Sequence, residues 1–511
     1  MRVAPRAAIR TAVWVLLLVG AAALFVWVAP YYSSALWWGL RKSLFWLLPL
    51  VVLVVVFIGW AGAIEENLWP AWPAWLLGIT GIAAFLFWAG WGHSYLQDRV
   101  YVASVAVTDD AVPTLEQRAP YVVAEAQARP NLGDSPGDIA ATKFLPATKT
   151  FDTLVEARGW LAGYQTVLEQ SIPLTGRGTG ERCEFTETAG ARAGGWFGHN
   201  LARLIAGEQR WVQFDSEDVY GFCDGDVPKV VAPLKELDGW MIVTERPAGV
   251  AVYDGHTGEV TIRPDAAGLP GPTYPITLAA TQRGSTHALS DLWDYVFGRA
   301  GWEETDEDGD VNAANNSEFT LPVGERGGAY VTPLTGRGSA TSISAISMLD
   351  ATVTGDALAT LTVHRLDPPW VSTSAVAQRI QADYQDIPNW QNLKILEIAP
   401  TDGTHWVATI GNDQNVLYRV SGTGTLQGDG ATCLHRGDGT EIRCGTAADQ
   451  QGAGIGTQYG PGAPSGPALA PPDADLGALT NEQLVDLIRR AQEEAARRLT
   501  APSVGPSPGP R

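Results

Sequence analysis

Three uncharged apolar stretches, residues 11–29, 44–64 and 74–92, open the chain, and more than four hundred mostly polar residues follow them. Crossing about 30 Å of hydrocarbon takes about 20 helical residues at about 1.5 Å each, so every stretch is long enough to span a membrane. None contains Asp, Glu, Lys, Arg or His. Intramembrane ionisable groups mark ion paths and proton relays, so these spans predict an anchor instead of a transporter. Tryptophan placement agrees, because 11 of the 20 tryptophans precede residue 92 and Trp37, Trp38, Trp60, Trp69, Trp72, Trp75, Trp88 and Trp91 sit near span ends. Amphipathic rings collect at the membrane–water interface. Residues 1–92 are therefore expected to form a three-helix transmembrane anchor. The first span is too long for a signal-peptide core and no Ala-x-Ala site follows it.

Beyond the anchor, apolar spacing of three and four over residues 115–128 and 151–170 predicts a mainly helical membrane-proximal region, 93–180. Short runs rich in Val, Ile, Thr and aromatics then alternate with Gly, Asp and Asn turns, as in residues 249–254, 342–349, 405–411 and 415–422. Helical patterns interrupt them at about 285–300 and 374–386. The expected architecture is an α+β soluble region with antiparallel sheets, comprising an α+β domain over 181–345 and a β-rich domain with a helix over 346–449. A Gly/Pro-rich linker, 450–478, leads to one amphipathic helix, 479–499, and a disordered tail, 500–511. That helix starts in a capping box at Thr480 and Gln483 and aligns Leu484, Leu487, Ile488, Ala491, Ala495 and Leu499. Alone it is marginal in water, so it is expected to dock on an envelope protein or a second copy of the chain.

The net charge is −20, and five basic against two acidic groups before residue 93 leave −23 for the remainder. Such a surface repels nucleic acid. Arg2, Arg6 and Arg10 draw the N-terminus to the cytoplasm while Arg41 and Lys42 compete for the next loop. Cysteine breaks the tie: all four, Cys183, Cys223, Cys433 and Cys444, follow the anchor, which predicts two disulfides and an oxidising exterior. Cys433 and Cys444 bracket an Asp438-Gly439 hairpin signal, and Cys183 with Cys223 follows by elimination. The expected location is a multi-pass cell-membrane protein with a cytoplasmic N-terminus and an extracytoplasmic bulk.

Candidate chemistry is sparse. The heptapeptide Pro-Leu-Thr-Gly-Arg-Gly-Thr/Ser occurs at 173–179 and 333–339, so Arg177 with Thr179 and Arg337 with Ser339 form candidate anion-binding loops. An acidic run offers Glu304, Asp306, Asp308, Asp310 and Asn312 at alternate positions, like a calcium loop, although Asn315 stands where such a loop needs a bidentate Glu. Ca2+ is the one cofactor it admits. Motifs of nucleophilic and zinc catalysis are missing from the sequence, and the seven histidines are scattered.

Three N-terminal spans, the segments RAPYVVAEAQA and LVEARGWLAGYQ, the PLTGRG loops and a Gly/Pro-rich tail together resemble uncharacterised multi-span membrane proteins of actinobacteria, their phages and plasmids. The resemblance implies a membrane protein and supplies no activity. The expected function is a non-enzymatic membrane envelope protein with a large extracytoplasmic binding or scaffolding region. The alternative is a membrane-tethered hydrolase acting on cell-wall or secreted polymers.

Overall fold

The computed structural model describes residues 5–65, 71–133, 135–174, 176–265, 267–305, 318–324, 327–338, 340–427 and 432–446. The N-terminal region is apolar and helical: α1 (Pro5–Val28), α2 (Pro30–Glu65) and α3 (Ala71–Phe87). Among the described residues one helix, Pro30–Ala61, is long and apolar enough to cross a membrane, and Val13–Val28 is a shorter apolar helix. The stretch expected to be a loop between the first two spans is helical. Ala29 N–H donates to Phe25 O at 2.9 Å and Ser33 N–H to Ala29 O at 3.0 Å, so the hydrogen-bond pattern continues past Pro30. Proline costs nothing at a helix start, where its missing N–H has no partner to lose. The two halves of α2 differ. Ser33, Ser34 and Trp38 are buried, while Leu48, Val51, Val54, Val55 and Ile58 are exposed. Alongside the outer half runs α3, and Trp88 Nε1 donates to Phe45 O at 2.7 Å. A single π-helical turn, Trp88–Gly92, then leads into α4 (His93–Val102), where the His93 ring stacks 3.8 Å from that of Phe45.

After a short strand, β1 (Val105–Thr108), and α5 (Tyr121–Asn131) comes a four-stranded antiparallel sheet: β2 (Asp138–Leu145), β3 (Thr150–Glu156), β4 (Tyr164–Ser171) and β5 (Thr179–Glu184). The expectation of a mainly helical 93–180 is thereby corrected, since 151–170 is a hairpin. The five central residues of β3 are all buried, Asp152 and Thr153 among them, so both faces are covered and the two-residue alternation that announces a half-exposed strand is missing.

Next come α6 (Leu201–Glu208), β6 (Val212–Gln213), β7 (Tyr220–Asp224), β8 (Val227–Asp238), β9 (Thr244–Asp254) and β10 (Val260–Arg263), whose strands form a five-stranded antiparallel sheet. It packs on the first sheet through Leu154, Val167 and Cys183 against Val230, Ala232 and Ala251, with Leu201 and Ile205 of α6 in the same core.

The rest of the chain is built around a six-stranded sheet. Helices α7 (Ile276–Gly284) and α8 (Leu292–Val296) precede β11 (Trp302–Glu304), β12 (Phe319–Val323), β13 (Gly327–Gly336), β14 (Ile343–Asp350) and β15 (Leu361–Trp370). β1 joins this sheet parallel to β15. One face packs through Val331 and Ile346 on α9 (Thr373–Tyr384) and on a five-stranded antiparallel sheet, β16 (Lys394–Pro400), β17 (His405–Asn412), β18 (Asn415–Thr423), β19 (Thr432–Arg436) and β20 (Glu441–Cys444). Tyr330, Leu334 and Ala345 on the other face meet Tyr101 of α4 and Leu278 of α7. The expected domain boundary at 345/346 falls inside β14, which pairs with β13 and β15, so two separate domains are not formed there. Similarly, 285–300 holds a 3-10 turn and the short α8 instead of one helix, while α9 matches the pattern read at 374–386.

Candidate functional site

All four cysteines are paired as the sequence suggests, Cys183 with Cys223 and Cys433 with Cys444. Cys433 and Cys444 face each other in the β19–β20 register, and Gly439 supplies the positive φ (+89°) of the turn between them. Cys183–Cys223 ties β5 to β7, one strand from each of the first two sheets.

The two PLTGRG copies do not form equivalent turns. The first links β4 to β5. Gln127 holds it, donating from Nε2 to Gly176 O at 3.1 Å and accepting Gly178 N–H at 2.8 Å, while Arg177 and Thr179 are exposed. In the second, 333–336 belongs to β13. β12 pairs with β13 up to Val331 and β11 starts at Leu334, so Pro333, which has no N–H, falls in the gap between them. Arg337 is engaged internally: Nη1 donates to Tyr295 O at 3.0 Å and Nε lies 3.5 Å from Glu303 Oε1. The two arginines thus stand at the ends of strands in different sheets, and Arg337 already has a carboxylate beside it. Ser339 lies outside the described residues.

Glu304, the first position of the acidic run, accepts Arg283 Nη2 at 2.7 Å, and buried Arg283 also pairs with Glu318 at 2.5 Å. Asp306, Asp308, Asp310 and Asn312 lie outside the described residues, as do Leu484, Leu487, Ile488, Ala491, Ala495 and Leu499 of the expected partner helix.

A cleft of about 740 Å³ opens beside the β4–β5 hairpin. Strand alternation builds its floor. On β5, Cys183 points into the core while Arg182 and Glu184 on either side of it line the cleft, and on β4 Gln165 lines it beside Tyr164. Leu161 and His199 come from two flanking loops. Those loops are fastened to each other. Arg192 pairs with Glu156 and donates from Nη2 to Gly159 O at 3.2 Å, and its backbone N–H donates to His199 O at 2.9 Å. The buried phenols of Tyr164 and Tyr253 accept N–H bonds from Ala193 and Ala191, each at 3.0 Å. Burial pushes the Tyr164 hydroxyl up to about 12, so it stays a neutral acceptor. Glycine permits the closest approach, because a Cβ on Gly163 would lie 2.5 Å from the Gly190 carbonyl carbon.

The lining offers both hydrogen-bonding senses. His199 Nδ1 donates to Gly190 O at 2.6 Å, which leaves Nε2 as an acceptor in the neutral ring. The buried Gln165 Oε1 has no hydrogen-bond partner. Arg182 and Glu184 add one cation and one anion. Pre-fastened loops with polar groups of both kinds suit reversible binding of a polar ligand. These residues come from four separate stretches of chain and escape sequence reading; the tryptophans near them, Trp160 and Trp196, are two of four that follow a glycine after residue 92 and so do not single the cleft out. No family model, curated protein or solved structure matches this chain.

Proposed function

We propose that the protein is a membrane-anchored binding protein of the cell envelope whose acidic α+β region lies outside the cytoplasm and takes a ligand in the cleft beside β4 and β5. The pairing of all four cysteines carries this reading, because structural disulfides persist in oxidising compartments. The anchor supports it. Residues 44–64 and 74–92 run side by side and are joined at Phe45, Trp88 and His93, and just beyond that end Gln97 Nε2 donates to Val243 O of the α+β region at 2.6 Å. Two crossings return the chain to its starting side, so residues 30–42 and everything after 93 share one face of the membrane. Arg41 and Lys42 would oppose that placement as free cations. Both have partners in the α+β region: Arg41 donates to Leu237 O at 3.1 Å and to Gly239 O, and Lys42 pairs with Glu245 at 2.5 Å. With those charges held, Arg2, Arg6 and Arg10 set the cytoplasmic N-terminus, and residues 11–29 make the first crossing.

Protease added to intact spheroplasts tests this placement on the full chain carrying a C-terminal tag. Cleavage in the 450–478 linker, seen as tag loss without lysis, is the expected result. Protection of the tag until the membrane is broken overturns the reading.

A further inference from the structure

Two exposed indoles stand on the loops that enclose the cleft. Trp160 precedes the lining residue Leu161, and Trp196 accepts the backbone N–H of the lining residue His199 at 2.9 Å. Trp160 is 73% exposed and Trp196 54% exposed, and their ring centroids lie 5.5 Å apart at 43°. Exposing two indoles to water is unfavourable, so folding alone does not account for them. Nor do the loops leave them free to collapse. Trp196 N–H donates to Trp160 O at 3.3 Å, the Arg192–Glu156 pair holds both loops from beneath, and Phe197 beside Trp196 adopts a positive φ of 50°. A non-glycine residue held in that region is a strained conformation that the surrounding structure must enforce.

We infer that the paired indoles and the cleft together form a saccharide-binding site, with Trp160 and Trp196 as stacking platforms and Arg182, Glu184 and His199 as hydroxyl readers. A pyranose presents an apolar face of C–H groups and an equatorial rim of hydroxyls that both donate and accept. The site has the complement of each. Aromatic faces bind the C–H side, and the rim meets Arg182 donors, Glu184 acceptors and the His199 Nε2 acceptor. The balanced Arg182 and Glu184 charges and the −20 chain favour an uncharged saccharide over an anionic one. A cleft of about 740 Å³ falls in the range of small-ligand sites, which suits a short segment of a larger glycan. This inference rests on the extracytoplasmic placement proposed above, where envelope glycans are reached.

The test is titration of the full-length protein in lipid nanodiscs, free of sugar-based detergent, with cellotetraose, chitotetraose, maltotetraose and mannotetraose, read by calorimetry and tryptophan fluorescence. At least one tetrasaccharide is expected to bind saturably. Trp160→Ala and Trp196→Ala each weaken it about tenfold, Trp160→Phe recovers most of the loss, and the thermal midpoint stays unchanged because both indoles are exposed. Three results overturn the inference: no tetrasaccharide binds at millimolar concentration, binding is unaffected by either alanine variant, or a tetra-alanine peptide control saturates the cleft instead. Protease accessibility reports the placement separately. Tag loss from spheroplasts without saccharide binding removes this inference alone, whereas tag protection removes the placement beneath it.

Discussion

Trp38 Nε1 donates to the carbonyl oxygen of Trp211 at 2.8 Å, joining the apolar helix α2 to the α+β region across 173 residues of sequence. Around that bond Trp38 packs on Leu237 and Val243, and Arg41 lies over the rings of Trp37 and Trp240 at 5.8 and 5.2 Å. The apolar helix is therefore clamped to the α+β region. Trp38→Ala removes a buried indole and is expected to cost about 3–5 kcal/mol, whereas Trp38→Phe keeps most of the packing, loses the hydrogen bond and costs about 1 kcal/mol. Chemical unfolding of the full chain in nanodiscs measures both.

A second fixed point joins the segment before α5 to the C-terminal sheet. Arg118 Nη1 lies 3.0 Å from Glu397 Oε2, Nε donates to Thr320 O at 2.9 Å, and the guanidinium lies 4.3 Å from the centre of the Tyr121 ring. The two charged side chains are only 2% and 7% exposed, so removing one strands the other in a poorly solvated place. Arg118→Met alone is expected to cost about 3–5 kcal/mol, and the double variant Arg118→Met/Glu397→Leu to recover much of that loss, as a double-mutant cycle will read out.

Asp152 on β3 makes the stability depend on pH. It is buried, neither carboxyl oxygen has a hydrogen-bond partner, and burial, with a smaller push from Glu169, holds its pKa well above the ordinary value. The folded chain keeps this proton while the unfolded chain releases it above about pH 4, so stability falls as pH rises from there through the folded-state pKa. Asp152→Asn removes the ionisable group. Its denaturation midpoint is expected to exceed that of the parent at pH 8 and to lose the advantage as the pH falls to 4.

The two disulfides differ in the length of chain they close, 40 against 11 residues of separation. On chain entropy, replacing Cys183 and Cys223 by alanine costs about 4 kcal/mol, and replacing Cys433 and Cys444 costs about 3 kcal/mol. Ligand affinity should separate the pairs further. Cys183 lies between Arg182 and Glu184, so loss of its bridge loosens the cleft wall, while loss of Cys433–Cys444 leaves that wall intact.

What the sequence disclosed follows from how locally each feature is encoded. The apolar helices, α9, the β17–β18 pair and the Cys433–Cys444 hairpin rest on periodicity and turn residues within about 20 positions, and these were legible. The β3–β4 hairpin was not, because burial on both faces of β3 imitates helical spacing. The repeated PLTGRG segment misled for a related reason: identical residues form a loop where Gln127 holds them and a strand where β14 pairs with them. The cleft needed the fold itself, since Gln165, Arg182 and His199 meet only after β4 pairs with β5 and Arg192 draws the loops together.

The side of the membrane on which the acidic α+β region lies is read by thiol labelling of intact cells with a membrane-impermeant reagent before and after an impermeant reductant. Labelling of Cys433 and Cys444, which are partly exposed, is expected only after reduction, with no need for lysis, while Cys183 in the core stays unlabelled until the chain is unfolded. Thiols that react only after lysis and without reductant would contradict it, placing this region in the cytoplasm with its cysteines unpaired.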